Sequence, residues 1–79
     1  MIRELETIVL TEDVPEYRLK LGDIGTVVLT HRNDERYEVE FVALDGETVA
    51  VVTLAASQVR AIRRRELAHA RALEARASV

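Results

Sequence analysis

Cysteine is absent from this chain, so no disulfide staples it and no thiolate can hold a metal. Tryptophan is absent too, which leaves Tyr17, Tyr37 and Phe41 as the aromatic set. Grooves that take proline-rich peptides are lined with aromatics, so this chain is poorly equipped to build one. Pro15 is the only proline, and the glycines are Gly22, Gly25 and Gly46. The imidazoles are His31 and His69, far apart in sequence, and the serines are Ser57 and Ser78. No Gly-x-Ser-x-Gly elbow surrounds Ser57. The expectation is a non-enzyme, with no catalytic residue, cofactor or metal ligand assigned. No apolar run approaches the ~20 residues that span a bilayer. Residues 1–6 lack the charged-then-apolar order of a signal peptide. A cytoplasmic protein without a membrane partner is therefore expected.

Charge is present in quantity and unevenly placed. Residues 1–59 hold five basic and twelve acidic side chains, a net of −7. Residues 60–79 hold six arginines and two glutamates, a net of +4. Such asymmetry marks a segment able to bind something acidic, which includes this chain's own body or that of a neighbour. With 79 residues there is room for one small core.

Alternation of apolar and polar residues predicts five strands, over 6–11, 24–31, 36–43, 47–54 and 58–62. A polar loop over 12–20 separates the first two. Gly22 and Gly25 flank Asp23, and all three are read as one sharp turn into the second strand. A phosphate-cradling loop is disfavoured there, because a strand follows and Asp23 repels anions. Asp45-Gly46 predicts a two-residue hairpin loop that pairs Val42 with Val49, Phe41 with Ala50 and Tyr37 with Leu54. One face then collects Tyr37, Val39, Phe41, Ala43, Thr48, Ala50, Val52 and Leu54 as core. The other carries Glu38, Glu40, Val42, Val49, Val51 and Thr53 outward. Glu38 and Glu40, being exposed, read as a solvated face or as partners for the arginine tail rather than as an acid–base pair. Glu12, Asp13 and Glu16 do not have calcium-loop spacing.

Residues 55–57 fit one helical turn. Residues 63–79 are helix formers for the most part, with Ile62, Leu67, Ala70, Leu73 and Ala77 on one side at helical spacing. The expected architecture is all-β: a five-stranded SH3-like barrel over 1–62 with a C-terminal α-helix over 63–79. The contiguous outer valines Val42, Val49 and Val51 ask for a cover. The helix supplies one by laying Leu67 and Leu73 over them while its arginines meet Glu38 and Glu40. A second chain supplies another, as in a homodimer with exchanged helices. The candidate partner-binding set is thus Val42, Val49, Val51, Leu67, Leu73, Arg63, Arg64 and Arg65, in a non-catalytic module that binds a protein or itself. The alternative is a nucleic-acid-binding barrel that uses the arginine-rich segment. The acidic body weighs against it, because phosphate contacts carry much of such affinity.

Several blocks together are specific. They are Thr7-Ile8-Val9-Leu10-Thr11-Glu12-Asp13-Val14-Pro15, then Leu19-Lys20-Leu21-Gly22-Asp23-Ile24-Gly25-Thr26-Val27-Val28, then Tyr37-Glu38-Val39-Glu40-Phe41. Asp45-Gly46-Glu47-Thr48, Val52-Thr53-Leu54 and Gln58-Val59-Arg60 follow in the same order. Over roughly residues 4–61 the chain resembles a small bacterial family of unknown function. The resemblance implies an SH3-like barrel and no established activity. Members are small stand-alone proteins, some encoded beside candidate toxins, so an antitoxin-like role follows by analogy alone. The Gly-Asp-Ile-Gly-Thr-Val block is also similar to the turn of ribosomal and transcription-factor KOW domains. It is similar as well to that of the SH3-like domain of the nitrile hydratase small-subunit family.

Overall fold

The computed structural model describes residues 2–31, 33 and 35–73. Five strands form: β1 (Thr7–Leu10), β2 (Ile24–Thr30), β3 (Arg36–Val42), β4 (Thr48–Ala55) and β5 (Val59–Ala61). They make one antiparallel sheet in the order β4-β3-β2-β1-β5. A 3-10 turn over Ala56–Gln58 redirects the chain from β4 into β5. Another, over Pro15–Tyr17, lies in the first loop.

The buried face is built from alternate residues. Ile8, Leu10, Val27, Tyr37, Val39, Phe41, Val52, Leu54 and Val59 form one cluster. Each such side chain contributes roughly 1.5–3 kcal/mol on leaving water. Val14 and Leu19 join the cluster from the loop read as polar. They face each other across two backbone hydrogen bonds, Val14 N–H to Leu19 C=O at 2.8 Å and the reverse at 3.2 Å. The loop is therefore a folded arm with an apolar underside.

Three expectations need correction. The sheet does not close into a barrel. β4 and β5 are its edges, and among the described residues no strand pairs with the outer side of either. β5 has only three residues and its pairing goes to β1. The arm that carries Val14 and Leu19 takes part of the place a closing ladder would occupy.

The C-terminal helix is also absent over the described residues 63–73; the rest of the expected helix, 74–79, lies outside them. A lone helix of this length is marginal in water and needs a partner for its apolar face. Among the described residues none covers it: Leu67 is 95% exposed and Leu73 41%.

The third correction concerns the hairpin. Its loop has three residues, 44–46, not two. Ala43 C=O accepts from Gly46 N–H at 2.8 Å, and Ala43 N–H donates to Glu47 C=O at 2.8 Å. Gly46, at φ +97°, takes the left-handed position such loops require. Val42 then faces Thr48, while Phe41 still faces Ala50, so β4 bulges at Val49. The bulge rolls Val49 inward against the core and Thr48 outward. Beyond it the expected pairs, from Phe41 with Ala50 to Tyr37 with Leu54, all hold.

Candidate binding cleft and C-terminal strap

The reversed roles of Thr48 and Val49 change the outer face of β3 and β4. A valine triplet was expected there, but the face is mostly polar. Thr48 Oγ1 donates to Glu40 Oε2 at 3.0 Å, and Thr53 Oγ1 donates to Glu38 at 2.7 Å. His31 Nε2 lies 2.8 Å from Glu38 Oε2. Bonds from His31 first, then Thr53, hold the Glu38 carboxyl below its ordinary range. The carboxylate thus sits between imidazole and hydroxyl. Val42 and Val51 stay half-exposed on this face, but Val49 has left it. Glu38 and Glu40 meet His31 and the two threonines, and no arginine of the described tail.

The two glycines of the Gly-Asp-Ile-Gly block serve different ends. Gly22 has φ +94°, and Asp23 closes the turn by accepting Lys20 N–H on Oδ2 at 2.8 Å. Gly25 belongs to β2, and its need is steric. A Cβ there would lie 2.6 Å from Val39 Cγ1 and 2.8 Å from Phe41 Cε1.

Asp23 also receives the tail. Arg71 Nε donates to its Oδ1 at 2.8 Å and Arg71 Nη2 to its Oδ2 at 2.5 Å; the same Nη2 reaches Arg18 C=O at 3.2 Å. Burial pushes the Asp23 carboxyl up, but the Arg71 bonds and Lys20 N–H outweigh it, so it titrates below its ordinary range. Nearer β5, Arg60 grips Glu66 with both terminal nitrogens, at 3.1 and 2.7 Å, and Arg63 N–H donates to Glu66 at 2.6 Å. These bonds, Arg60's first, bring the Glu66 carboxyl down to about 2. The tail is thus an irregular strap pinned at Glu66 and at Arg71. Arg63, Arg64 and Arg65 are exposed on it, and their side chains bond to no carboxylate among the described residues.

Elsewhere, a cleft of about 580 Å³ lies between the folded arm and β4. Glu12, Asp13, Glu16 and Tyr17 line the arm side. On the β4 side Val51, Val52, Thr53 and Leu54 line it consecutively. Successive strand side chains point to opposite faces, so four in a row mean that the strand's backbone edge borders the cleft. Ala55 N–H turns to Gln58 Oε1, at 2.8 Å, and therefore points away from β3. By the alternation of an antiparallel ladder, Thr53 and Val51 direct their N–H groups to the same outer edge. Gln58 Nε2 donates to Glu12 Oε2 at 3.0 Å and ties the arm to the end of β4. Asp13 Oδ1 accepts Leu21 N–H at 2.8 Å, which braces the arm from within.

Of the residues expected to bind a partner, only Val51 lines this cleft. Val42 stands on the outer face, Leu67, Leu73 and the three arginines on the strap. In the sequence Glu12 and Glu16 were weighed only as a calcium loop, and Tyr17 only as one of the few aromatics. Val14 and Leu19, spaced five apart around Pro15, were the available sign that this loop folds back. No group of three or more His, Asp or Glu poised for a metal occurs among the described residues. Nor does any helix among them have the length and apolarity to cross a membrane.

Neither a curated protein nor a solved structure matches the chain. One family pattern does, over residues 4–61, which takes in the sheet, the arm and the cleft and stops short of the strap. By that match the chain belongs to the family described as domain of unknown function (DUF4926).

Proposed function

We propose that this protein is a non-catalytic binding module, built on an SH3-like arrangement of strands, that receives an extended protein segment at the outer edge of β4. The carrying observation is that edge. β4 reads Thr-Val-Ala-Val-Val-Thr-Leu-Ala, eight residues without charge or proline. Edge strands are ordinarily shielded by charge, proline, shortness or a covering element. This one has none of the first three, and it borders a cleft. An added strand there draws affinity from main-chain hydrogen bonds and specificity from the flanking side chains.

Site-directed photocrosslinking in the producing cell tests it. A benzophenone amino acid at Val51 should give one discrete protein adduct. The same probe at Leu44, 91% exposed on the hairpin loop, should not. Equal labelling at the two sites sinks the reading.

A nucleic-acid module is the second reading, favoured by Arg63, Arg64 and Arg65, whose side chains pair with no carboxylate among the described residues. Binding carried by phosphate weakens steeply with salt, by about 10³–10⁵ between 50 and 200 mM for six to ten contacts. Absence of binding to duplex and single strand at low salt removes this alternative.

A further inference from the structure

We infer that the segment received at the β4 edge is the arginine-rich strap of a second copy of this chain, with Arg63, Arg64 and Arg65 set against Glu12 and Glu16. This rests on the reading of the β4 edge as a binding surface, and names its occupant. The cleft wants a cation-bearing chain. Its arm side offers Glu12, Asp13 and Glu16 with no basic side chain among the residues that line it. Asp13 is engaged with Leu21 N–H and Glu12 with Gln58, but Glu16 bonds to nothing among the described residues. Tyr17, 46% exposed, supplies a ring face on which a guanidinium stacks.

The same molecule carries the complement and does not use it. Its strap is held at Asp23 by Arg71, and no strap residue lines its own cleft. Arg63, Arg64 and Arg65 project from the turn where Arg65 has φ +62°, and Leu67 is 95% exposed beside them. Two other occupants fit less well. A second copy's β4, paired edge to edge, would bring two acidic arms together, and like charges across an interface disfavour it. The chain's own strap is held at Asp23 by Arg71, and none of its described residues lines its own cleft.

Charge-swapped full-length chains test this by sedimentation velocity. One variant carries Glu12→Lys and Glu16→Lys, the other Arg63→Glu, Arg64→Glu and Arg65→Glu. All five positions are exposed, so both variants fold, which far-UV circular dichroism verifies. The unmodified chain should self-associate, and the dissociation constant should rise roughly tenfold or more in each variant alone and in about 0.5 M salt. The equimolar mixture of the two variants should restore association, because each cleft again meets a strap of opposite charge. A chain that stays monomeric at millimolar concentration overturns the inference, as does association indifferent to the swaps. If the chain is monomeric but Val51 still crosslinks to a different protein, the binding edge stands and only its occupant is wrong. If Val51 captures nothing, both fall.

Discussion

Residues 7–61 bury Ile8, Leu10, Val27, Val39 and Leu54 almost completely, whereas residues 62–73 bury none of their large apolar side chains. The first region is held by shape. Its strands pair in register and its side chains interlock, so each position has one acceptable size. The strap is held by a few ionic hydrogen bonds at Glu66 and Asp23. Such contacts fix where a segment lies without making its presence necessary to the core. Screened surface pairs are worth little, typically 0–1 kcal/mol. The contrast is one of cooperative packing against replaceable pins.

The most severe way to break it is to cut into the packed region. Leu54→Ala should cost about 2–5 kcal/mol, read from urea unfolding. A loss comparable with that of a surface change would mean the core is not where the structure puts it. Gly25→Ala should cost about 1–3 kcal/mol by overpacking, since Val39 and Phe41 are themselves enclosed and have little room to yield. If Gly25→Ala is neutral, the steric account of this glycine is wrong. Gly46→Ala should cost about 1–2 kcal/mol, because its backbone is left-handed and open space surrounds it. A milder effect at Gly25 than at Gly46 would reverse the reasons given for the two.

The strap should respond differently. Arg71→Ala should shift global stability by under about 1 kcal/mol yet release residues 67–73, beyond the Glu66 pin, seen as a fall in their heteronuclear NOE. A cooperative loss of the whole sheet would erase the distinction between the regions. The smallest effect concerns pH. A carboxyl whose value is lowered on binding supports the bound form above its ordinary range and stops doing so as pH falls through the lowered value. The Glu66 contact should therefore persist on acidification to about 2, and a carbon-13 titration of Glu66 should find its midpoint there. A midpoint near the ordinary 4.5 would show that Arg60 and Arg63 do not hold it.

Strand positions were legible because period-two alternation survives in any sheet with one buried face. The strands expected at 24–31 and 36–43 differ from β2 and β3 by one residue at the C-terminal end. The pairs from Phe41 with Ala50 to Tyr37 with Leu54 were expected from a two-residue loop at Asp45-Gly46, and they hold with a three-residue loop because the bulge in β4 restores the register. The hairpin loop was misjudged by one residue because Asp-Gly serves both two-residue loops and the longer loop with a left-handed glycine. That single residue mattered: the bulge at Val49 absorbs it, and the expected outer valine becomes a core contact. The tail was misjudged for another reason. Helix propensity and apolar spacing are weak preferences that need a partner surface, and none is present over 63–73. The cleft was not legible, since its walls are residues 12–17 and 51–54, far apart in the chain.

Composition and alternation by themselves determined a small all-β body without thiol chemistry, acidic where the tail is basic. They also placed the turn at Asp23 and an aromatic-and-branched core face on the third and fourth strands. These depend only on which neighbours along the chain can share a face. The open edge of β4, the arm folded beside it, and the strap pinned by Arg71 to Asp23 were decided by the tertiary structure. Each joins residues distant in sequence, and only packing selects which of the many possible long-range contacts is made.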